Sequence, residues 1–378
     1  MKIAIVAPTH LPARRANTLQ VMKMAQALTC LGHDVRVASP GNPGTTIAWE
    51  EIADLYGLQT RFPVEWLPAA PSLRRYDYGL RAVSWARRNG AEVLYTRLPQ
   101  AAAIASSLGM PTILEVHDLP SSGMNAWLFR RFLRGSGGRR LVAITHALAS
   151  DLAKELGAPP PPFTVIAPDG VDLGRYEGLP LPAQAREQLG VPPERFTAGY
   201  TGHLYAGRGI KLILEMAARL PKIGFLLAGG EPEDVERLRL TLKDRHLENV
   251  TLAGFVSNAT LPRYHAACDA FLMPYQRHVA ASSGGDIARY LSPLKLFEYM
   301  ACGRPILSSD LPVFGEVLSP QNAILLPPED AQAWVEALQS LSTDPMRCAR
   351  LGEQARQDAG RYTWETRAES ILEGIDRA

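Results

Sequence analysis

Ser292-Pro293-Leu294-Lys295-Leu296-Phe297-Glu298 sets a cation and a carboxylate about one helical turn apart, just behind a serine and a proline. Ser292 as N-cap and Pro293 at the first helical position would start a helix there. Gly303 suits the left-handed residue past its end, and Pro305 bars further helix. The opening turn leaves the Leu294 and Lys295 N–H groups without helical partners, and the macrodipole adds partial positive charge, so an anion is favoured at that end. Lys295 adds a full charge. Glu298 lies further in, where two carboxylate oxygens fit a pair of vicinal hydroxyls such as those of ribose. Leu294, Phe297 and Met300 or Ala301 form the face expected to pack inward. An ordinary amphipathic helix with Lys295 and Glu298 in water has the same spacing, and spacing alone leaves both readings open.

Two further places suit phosphate or sugar chemistry. Gly202 follows a strand and leaves room for close backbone approach, while Arg208-Gly209 precede the helix Ile210–Leu220, so a guanidinium stands where it can grip phosphate with two bonds. A solvated loop arginine is the plainer alternative. His117 and Asp118 follow the strand Thr112–Glu115 at its C-terminal end, where α/β proteins place ligands, although an isolated His-Asp pair also serves structure. The first loop, Pro8 to Thr18, lacks the Gly-x-Gly-x-x-Gly that a dinucleotide needs, which argues against an oxidoreductase.

The elements that position these residues read as α/β. Short β-rich runs alternate with helical periodicity throughout. The strands expected first are Lys2–Ala7, Asp34–Ser39, Val93–Thr96, Thr112–Glu115, Leu141–Ile144 and Phe163–Ile166. Those of the second half are Thr197–Tyr200, Gly224–Ala228, Val250–Ala253, Ala270–Met273, Ile306–Ser308 and Ala323–Leu326. Helix Leu19–Leu31 buries Val21, Met24, Ala25 and Leu28 and ends at Gly32. A stretch rich in Pro, Gly and charge, Gly174–Pro193, reads as a linker. This predicts two doubly wound, Rossmann-like domains, 1–175 and 176–361, facing a cleft, with a final helix across 362–378 that presents Trp364, Ala368, Ile371, Leu372 and Ile375 on one side.

Composition fits that plan. With 378 residues, 46% hydrophobic and 21% charged, the chain is ordinary globular material too long for one core. Cys30, Cys268, Cys302 and Cys348 show no metal or disulfide spacing, which suits a reducing cytoplasm, and no metal site is expected. The apolar N-terminal run is too short for a signal peptide, and no run approaches about 18 apolar residues. A cytoplasmic protein, free or peripheral at the inner membrane face, is therefore expected. The net charge of +2 hides an asymmetry: residues 1–170 hold 18 Lys+Arg against 12 Asp+Glu, residues 171–378 hold 22 against 26. Arg130, Arg131 and Arg134 interleave with Trp127, Leu128, Phe129, Phe132 and Leu133. That pattern suits an anionic membrane surface, and equally a solvated helix face before a turn at Gly135–Gly138. No aromatic RNA-binding motif accompanies the charge, so nucleic acid is not an expected partner.

The run SPLKLFEYMACGRPILSSDLPVFGEVL resembles the donor-binding signature of the retaining family-4 glycosyltransferases. AGYTGHLYAGRGIKLILEMA, FLLAGGEPEDVERL and LAGFVSNATLPRYHAACDAFLMPY are similar to the family's second domain, and TILEVHD, LVAITHALASDLAKELG and VIAPDGVD to its first. The resemblance implies a GT-B fold whose last helix crosses back to the first domain. It implies a nucleotide-diphosphate sugar donor and a glycan, lipid-linked or small-molecule acceptor, in surface polysaccharide or glycolipid assembly. It also implies front-face transfer with retention, in which the departing diphosphate takes the acceptor proton. Arg208, Lys295 and the helix end would neutralise the diphosphate with no metal or other cofactor, Phe255 and Val256 would line the base through backbone contacts, and His117, with Asp118 near it, would lie beside the donor sugar. The first loop becomes an acceptor-side element in which Asn17 or Thr18 binds a hydroxyl, a placement that helix capping explains as well. Two positions depart from the family: His203 stands where an arginine is common, and Tyr290 stands eight residues before Glu298 where a glutamate is common. The loop Ser282–Asp286 is a candidate source of the displaced carboxylate. A sugar-nucleotide epimerase or hydrolase of this fold, or a non-catalytic binding protein, are the competing readings.

Overall fold

The computed structural model describes residues 1–73, 75–120, 123–280 and 286–375. Thirteen strands form two wholly parallel sheets. The first holds β1 (Lys2–Val6), β2 (Asp34–Pro40), β3 (Val64–Leu67), β4 (Val93–Thr96), β5 (Thr112–Val116), β6 (Gly138–Ala143) and β7 (Thr164–Ile166), in the order β3-β2-β1-β4-β5-β6-β7. The second holds β8 (Thr197–Thr201), β9 (Gly224–Ala228), β10 (Val250–Gly254), β11 (Ala270–Met273), β12 (Ile306–Ser309) and β13 (Ile324–Leu326), in the order β10-β9-β8-β11-β12-β13. Both orders reverse beside the first strand of the sheet, the doubly wound arrangement the alternation predicts. β3 is the strand the sequence reading omitted: four residues between Pro63 and Pro68 at a sheet edge carry little pattern.

The two units have separate cores. Met1–Asp169 clusters with the segment beginning at Trp364, and Gly170–Thr363 forms the other unit, a division ahead of the expected 175/176. Within the second unit β11 shows why its sheet is covered on both faces: Ala270 and Leu272 belong to one buried cluster, Phe271 and Met273 to the other. The segment read as a linker, Gly174–Pro193, is part of this unit. It carries a 3₁₀ turn and the helix Pro182–Leu189, whose buried Arg186 pairs with Asp269 at 2.7 Å. Pro and Gly there punctuate packed elements.

Two caps differ from expectation. The helix of the opening motif is Leu294–Cys302, with Pro293 in extended conformation as N-cap and no side-chain cap, so Ser292 lies outside it. Leu296 N–H donates to the Pro293 carbonyl at 2.9 Å, which leaves the Leu294 and Lys295 amides ahead of the first helical bond. The first helix spans Ala16–Cys30 with Arg15 as N-cap, so neither Asn17 nor Thr18 caps it; the Thr18 hydroxyl donates to the Ala13 and Arg15 carbonyls at 2.7 and 2.8 Å. The arginine-rich helix Gly123–Arg134 buries Leu128, Phe129 and Phe132, which removes them from any membrane face, and exposes Met124 and Trp127. Among the described residues no helix is long and apolar enough to cross a membrane.

Candidate functional site

The second unit gathers cations at the C-terminal ends of β8 and β11, the strands flanking its topological switch point. Helix Leu294–Cys302 is docked there by Tyr299, whose hydroxyl accepts the Thr201 N–H at 2.7 Å. Lys295 sits one turn before Tyr299 and therefore on the same helix face, turned to the end of β8. An ideal Cβ on Gly202 would lie 2.9 Å from Lys295 Nζ, so the backbone runs close to the ammonium here, at φ 125°, a conformation that favours glycine. The loop returning to helix Ile210–Arg219 is shaped the same way: a Cβ on Gly209, at φ 77°, would stand 1.9 Å from the Pro274 carbonyl oxygen.

Lys295 Nζ lies 3.8 Å from the Tyr200 ring centroid and 5.6 Å from that of Tyr275, while Arg208 Cζ lies 5.0 Å from Tyr275. Both tyrosines are fully buried. Lys295 Nζ, Arg208 Nε and His203 Nδ1 are buried and have no hydrogen-bond partner among the described residues. Burial, and then the Arg208 guanidinium, hold the Lys295 ammonium well below the usual lysine range, with Glu298 pulling the other way. Burial likewise lowers His203, which stacks on Tyr205 at 4.6 Å. Lys295 Nζ and Arg208 Nε can only donate, each such unpaired buried donor costs about 1–3 kcal/mol, and an anion is the acceptor that would satisfy them.

The neighbouring residues refine the sequence reading. Glu298 is buried, not solvated, and its Oε1 accepts from Asn258 Nδ2 at 3.2 Å. Asn258 is held in turn by Arg175, whose Nη1 donates to Oδ1 at 2.6 Å. Lys295 is half-buried as a residue with its ammonium enclosed, so the solvated-helix alternative does not describe this helix. Phe255, exposed, and Val256, half-buried, follow β10 after a left-handed Gly254 at φ 68°. Tyr290 is buried in the turn Ala288–Tyr290. Ser282, Ser283, Gly284 and Gly285 lie outside the described residues. Asp286 holds its own loop, accepting from Val279 and Ala288 N–H at 2.9 and 3.0 Å and from His278 at 2.8 Å, which draws its carboxyl down to about 2. Its carboxylate is therefore spent within the loop. Tyr200, Tyr275, Asn258 and Arg175 went unread in the sequence, because a ring under an ammonium and an amide behind a carboxylate leave no local pattern.

In the first unit His117 leaves β5 and bonds through Nε2 to Glu115 Oε1. Asp118 is exposed and its Oδ1 accepts the Leu119 N–H at 2.8 Å, so it closes a local turn. Asn17 Nδ2 donates to Thr9 Oγ1 at 3.4 Å, and its buried Oδ1 has no partner among the described residues. Among the described residues no group of three or more His, Cys, Asp or Glu is arranged to hold a metal ion.

Residues 183–358 match the family model described as glycosyl transferases group 1, and residues 19–175 match glycosyltransferase family 4. The chain belongs to the group 1, family 4 glycosyltransferases. Among curated glycosyltransferases, the phosphatidyl-myo-inositol mannosyltransferase of Mycolicibacterium smegmatis is 24% identical over 98% of this chain and 92% of its own. The D-inositol 3-phosphate glycosyltransferase of Rhodococcus jostii is 28% identical over 63% of this chain, an alignment that spans only about half, 52%, of that relative. Anabaena HepE, solved with UDP and glucose, superimposes with a TM-score of 0.77 at 20% identity over the whole of both chains. Sucrose-phosphate synthase from Thermosynechococcus elongatus gives 0.73 at 19% over 100% and 98%. These likenesses establish the GT-B fold for this glycosyltransferase.

Proposed function

We propose that the protein is a retaining glycosyltransferase that takes a sugar from a nucleoside diphosphate and passes it to a hydroxyl of a glycan, lipid-linked or small-molecule acceptor in polysaccharide or glycolipid assembly. The observation that carries this reading is the pair Lys295 and Arg208, enclosed around Tyr275 with Nζ and Nε unpartnered among the described residues. A diphosphate supplies the missing acceptors, and the open amides of Leu294 and Lys295 extend the same cradle. Charge grows on the diphosphate as it departs, so these groups stabilise the transition state more than the bound donor. The bond from the anomeric carbon to the diphosphate oxygen breaks, the acceptor oxygen bonds to the same face, and the acceptor proton passes to the departing diphosphate. With two cations and a helix end in place, no metal need be recruited. Glu298, steadied by Asn258, would take the ribose hydroxyls and Phe255–Val256 the base. Asn17 is proposed on the acceptor side and His117 beside the donor sugar; the inositol in the relatives' names favours a polyol or lipid-linked hydroxyl as acceptor. The arginines of helix Gly123–Arg134 are proposed as a contact for an anionic membrane.

The test is a thermal-shift panel of nucleotide sugars headed by UDP-glucose, the ligand carried by HepE, followed by turnover with and without acceptor and with chelator. Stabilisation, acceptor-dependent release of UDP that chelator leaves intact, and loss of at least about tenfold in affinity for Arg208→Ala or Lys295→Met are expected. No stabilisation by any nucleotide, or full affinity in both variants, would end the proposal.

A further inference from the structure

Behind His117 lies a buried polar network that runs from the first helix, Ala16–Cys30, to the C-terminal helix, all within the first unit. Glu115 is its centre and is fully enclosed. Its Oε2 receives the Tyr95 hydroxyl and lies 3.0 Å from Arg367 Nη2 on helix Trp364–Leu372. Arg367 is fixed from the other side by the Pro168 and Ala167 carbonyls, at 2.8 and 3.2 Å. Glu115 Oε1 accepts from Gln20 Nε2 at 2.8 Å and meets His117 Nε2.

The hydrogens in this network follow from donor capacity. A guanidinium only donates, so Arg97 Nη1, 3.1 Å from Gln20, requires the amide oxygen to face it and leaves the Gln20 NH₂ for Glu115. Although burial opposes ionisation of Glu115, Arg367 and the His117 bond hold its carboxyl well below the ordinary range. An ionised carboxylate only accepts, so Nε2 of His117 must be its N–H. The ring itself is neutral at pH 7: burial first and the Arg97 charge second push it down to about 4, against the pull of Glu115. The other charges facing it are Arg367 and, next to both arginines, Asp169.

We infer that Glu115, pinned by Arg367, Tyr95 and Gln20, fixes His117 in the tautomer with its hydrogen on Nε2, so that Nδ1 meets the sugar as a hydrogen-bond acceptor for a hydroxyl. This rests on the glycosyltransferase reading for the ligand, but the tautomer does not. Glu115 and Arg367 are then positioning residues, and the C-terminal helix reaches the site through one guanidinium. It also excludes His117 as a proton donor or a cation toward the donor at neutral pH, since the only hydrogen on the ring is already committed.

Long-range ¹H–¹⁵N spectra of the full-length protein labelled with ¹⁵N-histidine test the network directly, with His117→Asn assigning one ring among the eight. An Nε2–H tautomer that persists from about pH 6 to pH 8 is expected; an Nδ1–H tautomer or an imidazolium in that range overturns the inference. In Glu115→Gln the donating Arg367 holds the amide oxygen and turns the NH₂ to His117, so the tautomer should shift toward Nδ1–H and kcat should fall by at least about tenfold while nucleotide affinity stays within about twofold. Arg367→Lys should retain most of kcat, because a cation still faces Glu115. A Glu115→Gln enzyme with unchanged tautomer and kcat refutes the positioning role; should that variant not fold, the native spectrum decides. If no nucleotide sugar is used at all, the functional reading fails while the spectrum still reports the network.

Discussion

Single residues here are legible through what they lack or what opposes them. Lys295 Nζ and Arg208 Nε are buried donors with no acceptor among the described residues, a disposition that costs stability unless a ligand repays it. Asp169 is a different case, in which the protein holds an acid half-ionised near neutrality. Burial pushes its carboxyl up to about 7 from the ordinary 3.8, against the attraction of Arg367. Because the folded value lies above the unfolded one, the stability Asp169 contributes is fully present below about pH 4 and is lost as pH rises through about 7, by at most about 1.4 kcal/mol per pH unit. His117 acts in the opposite sense between about pH 4 and 6.5, since its folded value is lowered. Asp169→Asn removes the first contribution alone. Its stability relative to the parent, measured by urea unfolding, should therefore climb from about pH 5 to pH 7 and level off above; a constant difference would show that Asp169 does not titrate there.

At the scale of elements, the loop from Gly202 to Gly209 is defined by what its glycines let approach. Gly209 combines φ 77° with a carbonyl oxygen 1.9 Å from where its Cβ would be, whereas Gly157, the left-handed cap of helix His146–Leu156 at φ 65°, faces open space. Gly157→Ala should cost only the conformational penalty of about 1–2 kcal/mol and leave nucleotide binding alone. Gly209→Ala must also push back Pro274, next to Tyr275, so it should lose more stability and at least about tenfold in UDP affinity, read by calorimetry. Equal losses in the two variants would mean that the loop adapts freely. Helix Leu294–Cys302 makes the complementary point. It is buried from Leu296 to Ala301, so its position is set by packing around Tyr299 and Phe297, and the open amides at its start inherit that rigidity.

For the whole molecule the informative quantity is the charge asymmetry, 18 Lys+Arg against 12 Asp+Glu in residues 1–170 and the reverse sign beyond. Helix Gly123–Arg134 concentrates it: Arg130, Arg131 and Arg134 are exposed, next to exposed Trp127. Each such arginine is worth about 1 kcal/mol at an anionic surface, so Arg130→Ala/Arg131→Ala/Arg134→Ala should lower partition onto phosphatidylserine vesicles about 100-fold, and salt near 1 M should abolish it by screening. Equal binding to neutral vesicles, or indifference to the triple change, would remove the membrane contact.

What the sequence by itself determined is most of the order of elements, which is governed by local period and backbone chemistry. The alternation of strands and helices, the left-handed Gly303 after its helix, and the cationic start of that helix depend on residues a few positions apart. The family likeness extended this to the GT-B fold. Only the tertiary structure decided that Lys295 rests on Tyr200 and Tyr275, that Asn258 backs Glu298, that Pro293 and not Ser292 opens the helix, and that Arg367 of the last helix holds Glu115 behind His117. Apart from the Pro293 cap, these contacts join positions from tens to hundreds of residues apart, and their geometry exists only once the sheets are packed, since burial removes the water that would otherwise satisfy each charge and makes the choice of partner decisive.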